Sequence, residues 1–179
     1  SNIVRDLEIR REIELKRLEL LKQYTEDGSI DNNSSELLSI EAQESIYVRL
    51  TDKFPGYLGQ MFFINYMPFL QGKLEMKGQK GAYVELVEFL DRMDNYPFTK
   101  EEKQTIMDSG EWMSTGMMES IVSGKIAAVQ DIDKWMEDND EIITQYQAFK
   151  QSDEYSTPPI IQLYEKIKVY LQESGYYEV

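Results

Sequence analysis

Phe54–Leu70, FPGYLGQMFFINYMPFL, is the stretch on which the reading of the fold turns. Pro55 suits the first turn of a helix, where its missing N–H costs nothing. The apolar residues Phe54, Tyr57, Leu58, Met61, Phe62, Phe63, Ile64, Tyr66, Met67, Phe69 and Leu70 occupy nearly every face of that helix. A helix that is apolar all round is normally buried on all sides, so other helices are expected to surround this one. Pro68 removes a hydrogen bond near the end and is expected to kink or stop the helix. Gly56 and Gly59 permit a neighbouring helix or a ligand to approach this backbone closely. They match the GxxG clamp of single-strand RNA binders in letters only, because the surrounding charge is wrong for that module.

Toward the C-terminus the helical pattern continues. Gly72, Gly78 and Gly81 read as a connection, and Val84, Leu86, Val87, Phe89 and Leu90 then give helical spacing from Ala82 to Met93, ended by Pro97. Thr99-x-x-Glu102 is a capping box, which starts a helix carrying Ile106 and stopping by Gly110. Glu111–Val129 and Asp131–Lys150 read as two further helices. Thr157 is expected to cap a last one, with Pro158 at its first position and Gly175 as its stop. No segment reads as a strand and no internal repeat is visible.

Toward the N-terminus, residues 3–24 read as a helix roughly 33 Å long, free of Gly and Pro and rich in good helix formers. Val4, Leu7, Leu18 and Leu21 form a seam at coiled-coil spacing, interrupted by Arg11 and Glu14, and Ile9, Ile13 and Leu20 form a flanking row. Two readings stand: an amphipathic helix lying on its own domain, or an arm that pairs with another subunit. Its six basic and five acidic residues nearly balance, leaving −15 on residues 25–179. Thr25–Ser35 reads as a polar loop. It is not an EF-hand, since counting from Asp27 the positions that need Gly and Glu hold Asn32 and Leu38. Ser35 is then placed to cap a helix with Leu37, Leu38, Ile46, Tyr47 and Leu50. The resulting expectation is an all-α protein of six to eight helices. It comprises a dimerisation helix (1–24), a linker loop (25–34) and a helical domain (35–179): a long N-terminal coiled-coil-type helix followed by a compact bundle of about five to seven helices.

Composition narrows the chemistry. The chain of 179 residues carries 19 Lys+Arg against 33 Asp+Glu, a net charge of −14 that repels phosphate backbones. Neither cysteine nor histidine is present. That removes disulfides, thiolate zinc sites and imidazole-based triads, and no metal or cofactor is called for. The missing cysteines fit a reducing, cytoplasmic compartment, and no apolar run is long enough to span a membrane. GxxxxGK[ST], GxGxxG and GxSxG are all absent. The acidic run Asp131, Asp133, Glu137, Asp138, Asp140 and Glu141 places Glu137 and Glu141 on one helix face. Without Glu-x-x-His pairs it reads as a solvated surface and not a di-metal site. Catalysis is the minority expectation.

Nine methionines and twenty-one aromatic residues point elsewhere. Met-rich, aromatic helical interiors repack around varied ligands, and bundles place ligands between helices. Tyr57, Phe62, Phe63, Tyr66, Phe69, Trp112 and Trp135 are therefore candidates to line a pocket between residues 54–70 and 112–136. Ordinary core packing demands the same residue types. Acidic residues at such a rim would favour cationic, amphipathic ligands, so the candidate ligand is a small apolar or cationic molecule.

A charged helix IVRDLEIRREIELKRLELLKQ (3–23), followed by a helical domain containing KFPGYLGQMFFINYMPFLQGKLE (53–75) and EFLD (88–91), resembles the region downstream of the DNA-binding head in MerR-type transcriptional regulators. The resemblance implies a homodimer in which the long helix pairs antiparallel with its mate, with Val4, Leu7, Leu18 and Leu21 in the seam. It also implies a C-terminal effector-binding region, and a winged helix-turn-helix head that this sequence lacks. The first residues, Ser1-Asn2, look like the scar of a removed tag, which fits a head encoded upstream. The cysteine ligands of the metal-sensing members are absent. The competing expectation is an acidic, all-helical protein–protein adaptor with no small-molecule ligand.

Overall fold

The structure, a computed structural model, describes residues 1–27, 34–70 and 77–178. Among them all regular structure is helical. The elements are α1 (Asn2–Asp27), α2 (Ser34–Lys53), α3 (Tyr57–Leu70), α4 (Lys77–Arg92), α5 (Lys100–Ser109), α6 (Thr115–Gln130), α7 (Ile132–Asp138), α8 (Asp140–Lys150), α9 (Asp153–Ser156) and α10 (Pro159–Glu173), followed by a 3₁₀ turn at Tyr176–Glu178. No helix among the described residues is long and apolar enough to cross a membrane.

The core is built around the α2–α3 hairpin. Ile46, Tyr47, Leu50 and Phe54 of α2 and its exit are fully buried. Tyr47 meets Phe63 of α3 edge-on at 4.9 Å, and Phe54 meets Phe62 at 4.7 Å. Gly56 makes the turn with φ +63°, a conformation that favours glycine. Gly59 is where the two helices touch: a Cβ there would lie 2.6 Å from the Phe54 carbonyl and 2.7 Å from that of Leu50. The close approach expected at this glycine is thus made by a neighbouring helix. α3 runs through Pro68 to Leu70, and the Leu70 carbonyl accepts from Ser39 Oγ and from Gln43 Nε2, the latter at 3.0 Å.

Burial of α3 extends around most of the helix but is incomplete on the strip that carries Phe62, Tyr66 and Phe69. Tyr57, Leu58, Phe63, Ile64 and Leu70 are buried, Met61, Phe62, Tyr66 and Met67 are half-buried, and Phe69 is 75% exposed. α2 packs on it most extensively and α1, α5 and α6 touch it as well, leaving room for the cavities described below.

α1 lies along this hairpin. Its row Ile9, Ile13 and Leu20 is buried, whereas Val4, Leu7, Leu18 and Leu21 are 46–61% exposed. At 3.6 residues per turn these two rows fall on opposite sides of the helix. Ion pairs Asp6–Arg10 and Glu12–Lys16 brace its surface at i, i+4. Arg5 is buried and clamps three elements together. Its guanidinium donates to Gln60 Oε1 (2.8 Å), to the Gly110 carbonyl (2.8 Å), to the Met113 carbonyl (2.5 Å) and to Asn2 Oδ1 (2.7 Å).

The C-terminal half departs from the expected boundaries in several places. Gly78 and Gly81 lie inside α4, while Gly72 falls outside the described residues. α1 extends through Thr25 to Asp27, and the rest of the expected linker, 28–33, also lies outside them. α2 already includes Ser34, one residue ahead of the expected cap at Ser35. The Thr99–Glu102 capping box forms in both directions. A turn at Gly110–Met113 separates α5 from α6, which Ser114 caps through Met117 N. The single helix expected over Asp131–Lys150 is two, broken at Asn139, whose amide returns to the Trp135 carbonyl. In the last helix Pro159, not Pro158, takes the first position, and Gly175 with φ +77° follows its end. These breaks raise the count to ten α-helices among the described residues. Leu163, Ile167 and Leu171 bury one stripe of α10, which packs on α5 and is tied to it by Lys166–Glu102 at 3.0 Å.

Candidate functional site

Two openings border α3. The larger, about 790 Å³, lies among α3, α4 and the 3₁₀ turn, and its walls include Phe62, Asn65, Tyr66, Phe69, Ala82, Tyr83, Leu86 and Tyr176. That volume is in the range that holds a drug-sized molecule. α3 brings Phe62, Tyr66 and Phe69 to one side at i, i+4 and i+7, and α4 supplies the opposite wall at Ala82, Tyr83 and Leu86. Tyr176 arrives through the positive-φ turn at Gly175 and meets Phe62 at 5.6 Å and Phe89 at 6.1 Å.

The polar equipment of this cavity is sparse and directional. The hydroxyls of Tyr66 and Tyr176 are hydrogen-bonded at 3.0 Å, which leaves the pair one further proton for an acceptor. Burial pushes the ionisation of both phenols upward, keeping them neutral near pH 7. Asn65 donates to the Met61 carbonyl at 2.8 Å, which leaves its side-chain oxygen as an acceptor. No charged side chain is among the described lining residues. Such a site suits an uncharged, aromatic ligand with a small number of hydrogen-bonding groups.

The smaller opening, about 330 Å³, is a groove among α1, α3 and α6, with Ile9, Ile13, Phe63, Ile64, Met67, Val122 and Ile126 in its walls. Glu12 and Glu119 stand at its rim, but Glu12 is held by Lys16 at 2.7 Å. The acidic rim expected to draw a cation is thus half neutralised here and missing from the larger cavity.

The candidate residues distribute unevenly between these sites. Phe62, Tyr66 and Phe69 meet in the larger cavity and Phe63 lines the groove. Tyr57 lines neither: it is buried against Gly110, where an added Cβ would fall 2.1 Å from its ring. Segments 54–70 and 112–136 do face each other, but through Phe63, Ile64 and Met67 against Val122 and Ile126. The two tryptophans lie away from both openings, Trp112 at 65% exposure and Trp135 at 38%. Tyr83, Leu86 and Tyr176 were not among the candidates. Leu86 was legible as part of an apolar helix face, whereas nothing in the sequence pattern marks Tyr176, which reaches α3 only through the turn after α10.

Val4, Leu7, Leu18 and Leu21 all stand exposed on one face of α1. Asp131, Asp133, Glu137, Asp138, Asp140 and Glu141 are solvent-exposed, and among the described residues no three acidic side chains converge as metal ligands. Compared with protein-family models, curated proteins and solved structures, the chain gives no match.

Proposed function

We propose that this chain is the dimerisation and ligand-sensing region of a MerR-like bacterial transcriptional regulator, whose DNA contacts would be made by a winged helix-turn-helix head outside this sequence. The observation that carries the reading is the two-sided helix α1. Its inner row, Ile9, Ile13 and Leu20, is sealed against its own bundle, while its outer row, Val4, Leu7, Leu18 and Leu21, stays exposed at coiled-coil spacing. A helix that only covered its own core would gain nothing from a second apolar row. With near-balanced charge on α1, a second copy meets no net repulsion there.

The ligand half of the reading rests on the cavity of Phe62, Tyr66 and Phe69. An uncharged aromatic molecule there would press on α3, whose other residues Phe63, Ile64 and Met67 share a groove with Ile9 and Ile13 of α1. Such a ligand acts on DNA binding only insofar as it favours one of two dimer arrangements over the other.

Sedimentation and a neutral fluorescent probe test the two halves separately. The chain is expected to sediment as a dimer and Leu18→Asp as a monomer; a dimer that survives Leu18→Asp, or a monomeric parent, overturns the arm. N-phenyl-1-naphthylamine is expected to bind with a gain in fluorescence and to raise the melting temperature according to RT ln(1 + [L]/Kd). Ala82→Trp, at an exposed wall position, should fill the cavity and abolish both effects. Unchanged binding by Ala82→Trp places the probe elsewhere and removes the cavity from the reading.

A further inference from the structure

At heptad spacing the outer face of α1 carries the row Val4, Leu7, Arg11, Glu14, Leu18 and Leu21, and all six are exposed. Its apolar members stand at the two ends and its two opposite charges in the middle. Laid against its own reverse, the row sets Val4 on Leu21, Leu7 on Leu18 and Arg11 on Glu14. Arg11 has no ion-pair partner among the described residues. Glu14 accepts from Arg17 at 2.5 Å, and Arg17 reaches on to Glu44 of α2 at 2.6 Å.

The ways of laying a second copy on this row differ in what they set in the middle. Parallel pairing in register brings each residue against its own copy, so Arg11 meets Arg11, Glu14 meets Glu14, and Arg17 meets Lys22 on the flanks. Antiparallel pairing displaced by one heptad puts Val4 and Leu7, or Leu18 and Leu21, against the two charges. Antiparallel pairing centred between Glu12 and Ile13 keeps apolar on apolar and makes two Arg11–Glu14 contacts, related by the two-fold axis. On one flank it places Glu8 near the partner's Leu15 and Lys22. On the other, Arg10 approaches the partner's Arg17, but each already has a carboxylate of its own chain, Asp6 for Arg10 and Glu14 with Glu44 for Arg17. We infer that α1 pairs with α1 of a second copy about an axis between Glu12 and Ile13, with Arg11 against the partner's Glu14 as the layer that fixes direction and register. The inference rests on the dimer reading above and adds how the two copies are aligned. A polar layer in an apolar seam costs affinity and specifies register. Here it also lengthens a chain of alternating charge, from the partner's Arg11 through Glu14 and Arg17 to Glu44, which ties the seam to α2.

Sedimentation of charge-exchanged variants tests the alignment, with circular dichroism to show that each keeps its helix content. Arg11→Glu and Glu14→Arg should each weaken the dimer by about tenfold or more, because each sets like charges in both central layers. Glu14→Arg also reduces the net negative charge of the chain, so general repulsion alone would strengthen that dimer. Both exchanges carried in one chain should bring the affinity back close to the parent value. Direction is read separately with introduced cysteines, since the chain has none of its own. A Leu7→Cys chain mixed with a Leu18→Cys chain should be joined by a short bis-maleimide. Neither should be joined to its own kind, because two copies of position 7 then lie about 16 Å apart along the axis. Joining of Leu7→Cys chains to one another shows parallel pairing and overturns this alignment while the dimer stands. So does a double exchange as weak as the single ones, or a dimer indifferent to Arg11→Glu. A monomeric parent removes the dimer reading itself, and this inference with it.

Discussion

Arg5 is 2% exposed, yet its hydrogen-bond partners are two backbone carbonyls, a glutamine and an asparagine, with no carboxylate among them. Burial lowers its affinity for the proton, but a guanidinium starts so high that it stays charged at any pH the fold experiences. Neutral dipoles hold this charge because the Gly110 and Met113 carbonyls, at the end of α5 and in the turn beyond it, both converge on it. The gain is geometric, since one side chain fixes α1 against α3 and against the α5–α6 turn. Arg5→Met keeps the stem and strands those acceptors, and should cost about 3 kcal/mol in urea denaturation. Arg5→Lys, with three donors on a single nitrogen, should recover only part of that loss. If Arg5→Met unfolds at the parent urea midpoint, the clamp contributes nothing to stability.

At the scale of elements, the same substitution has opposite signs in two helices. A Cβ at Gly59 would collide with backbone of α2, which cannot swing away as a side-chain tip can. Gly59→Ala should therefore destabilise by about 2 kcal/mol or more. Gly81 in α4 has no atom within 4 Å of its would-be Cβ, so Gly81→Ala should stabilise by about 1 kcal/mol through helix propensity alone. Thermal melts of the two variants separate these outcomes. The pair also shows which parts of the fold were legible beforehand. The Thr99–Glu102 box and the apolar rows of α1 are local signals, and their elements form where expected, whereas Pro55, expected in the first turn of a helix, lies in the turn before α3. Gly78 and Gly81 read as punctuation because glycine is a poor helix former, yet Leu86 and Leu90, buried further along, anchor one helix that carries both. The break at Asn139 has no proline or glycine to announce it. The site was half legible for a related reason: periodicity could put Phe62, Tyr66 and Phe69 on one strip, but which strip α2 would leave uncovered is decided by three-dimensional packing. The capping box brings a pH dependence as well. The backbone N–H of Thr99 and then Lys166 hold the Glu102 carboxyl below its ordinary range. This contribution is therefore present above about pH 4.3 and is lost as pH falls through the lowered value. Glu102→Gln should flatten the acid limb of stability against pH; an unchanged limb would show that the box is not a proton-linked element.

Across the whole molecule the dominant facts are an excess of 14 negative charges and a set of buried phenols. The charge makes the folded state repel itself, so salt should raise the melting temperature as screening shortens the range of that repulsion. The phenols add a limit on the alkaline side. Burial raises the ionisation of Tyr47, Tyr66 and Tyr176, and that of Tyr164 to about 12. Tyr47 is further raised by donating to Asp6 at 2.6 Å. A phenol whose folded-state pKa exceeds its unfolded value of about 10 stabilises the fold fully below that pH and loses the contribution as pH climbs toward the folded value. These residues occupy different parts of the body: Tyr47 sits between α2 and α1, and Tyr66 and Tyr176 close the cavity. Alkaline titration should therefore not remove protons one residue at a time. Phenols open to solvent should ionise first with the helix content intact. The buried set should follow in one step with loss of helix, because each buried phenolate would add uncompensated charge to a body already at −14. Tyrosinate absorbance and circular dichroism recorded on the same samples test this. Coincidence of the second absorbance step with unfolding is expected. Smooth ionisation of all tyrosines before any loss of helix would mean that water reaches Tyr66 and Tyr176 freely, and a cavity so wet would not select an apolar ligand. Repeating the titration with N-phenyl-1-naphthylamine present extends the argument, since a molecule bound against Tyr66 and Tyr176 should move that second step to higher pH and leave the first unchanged.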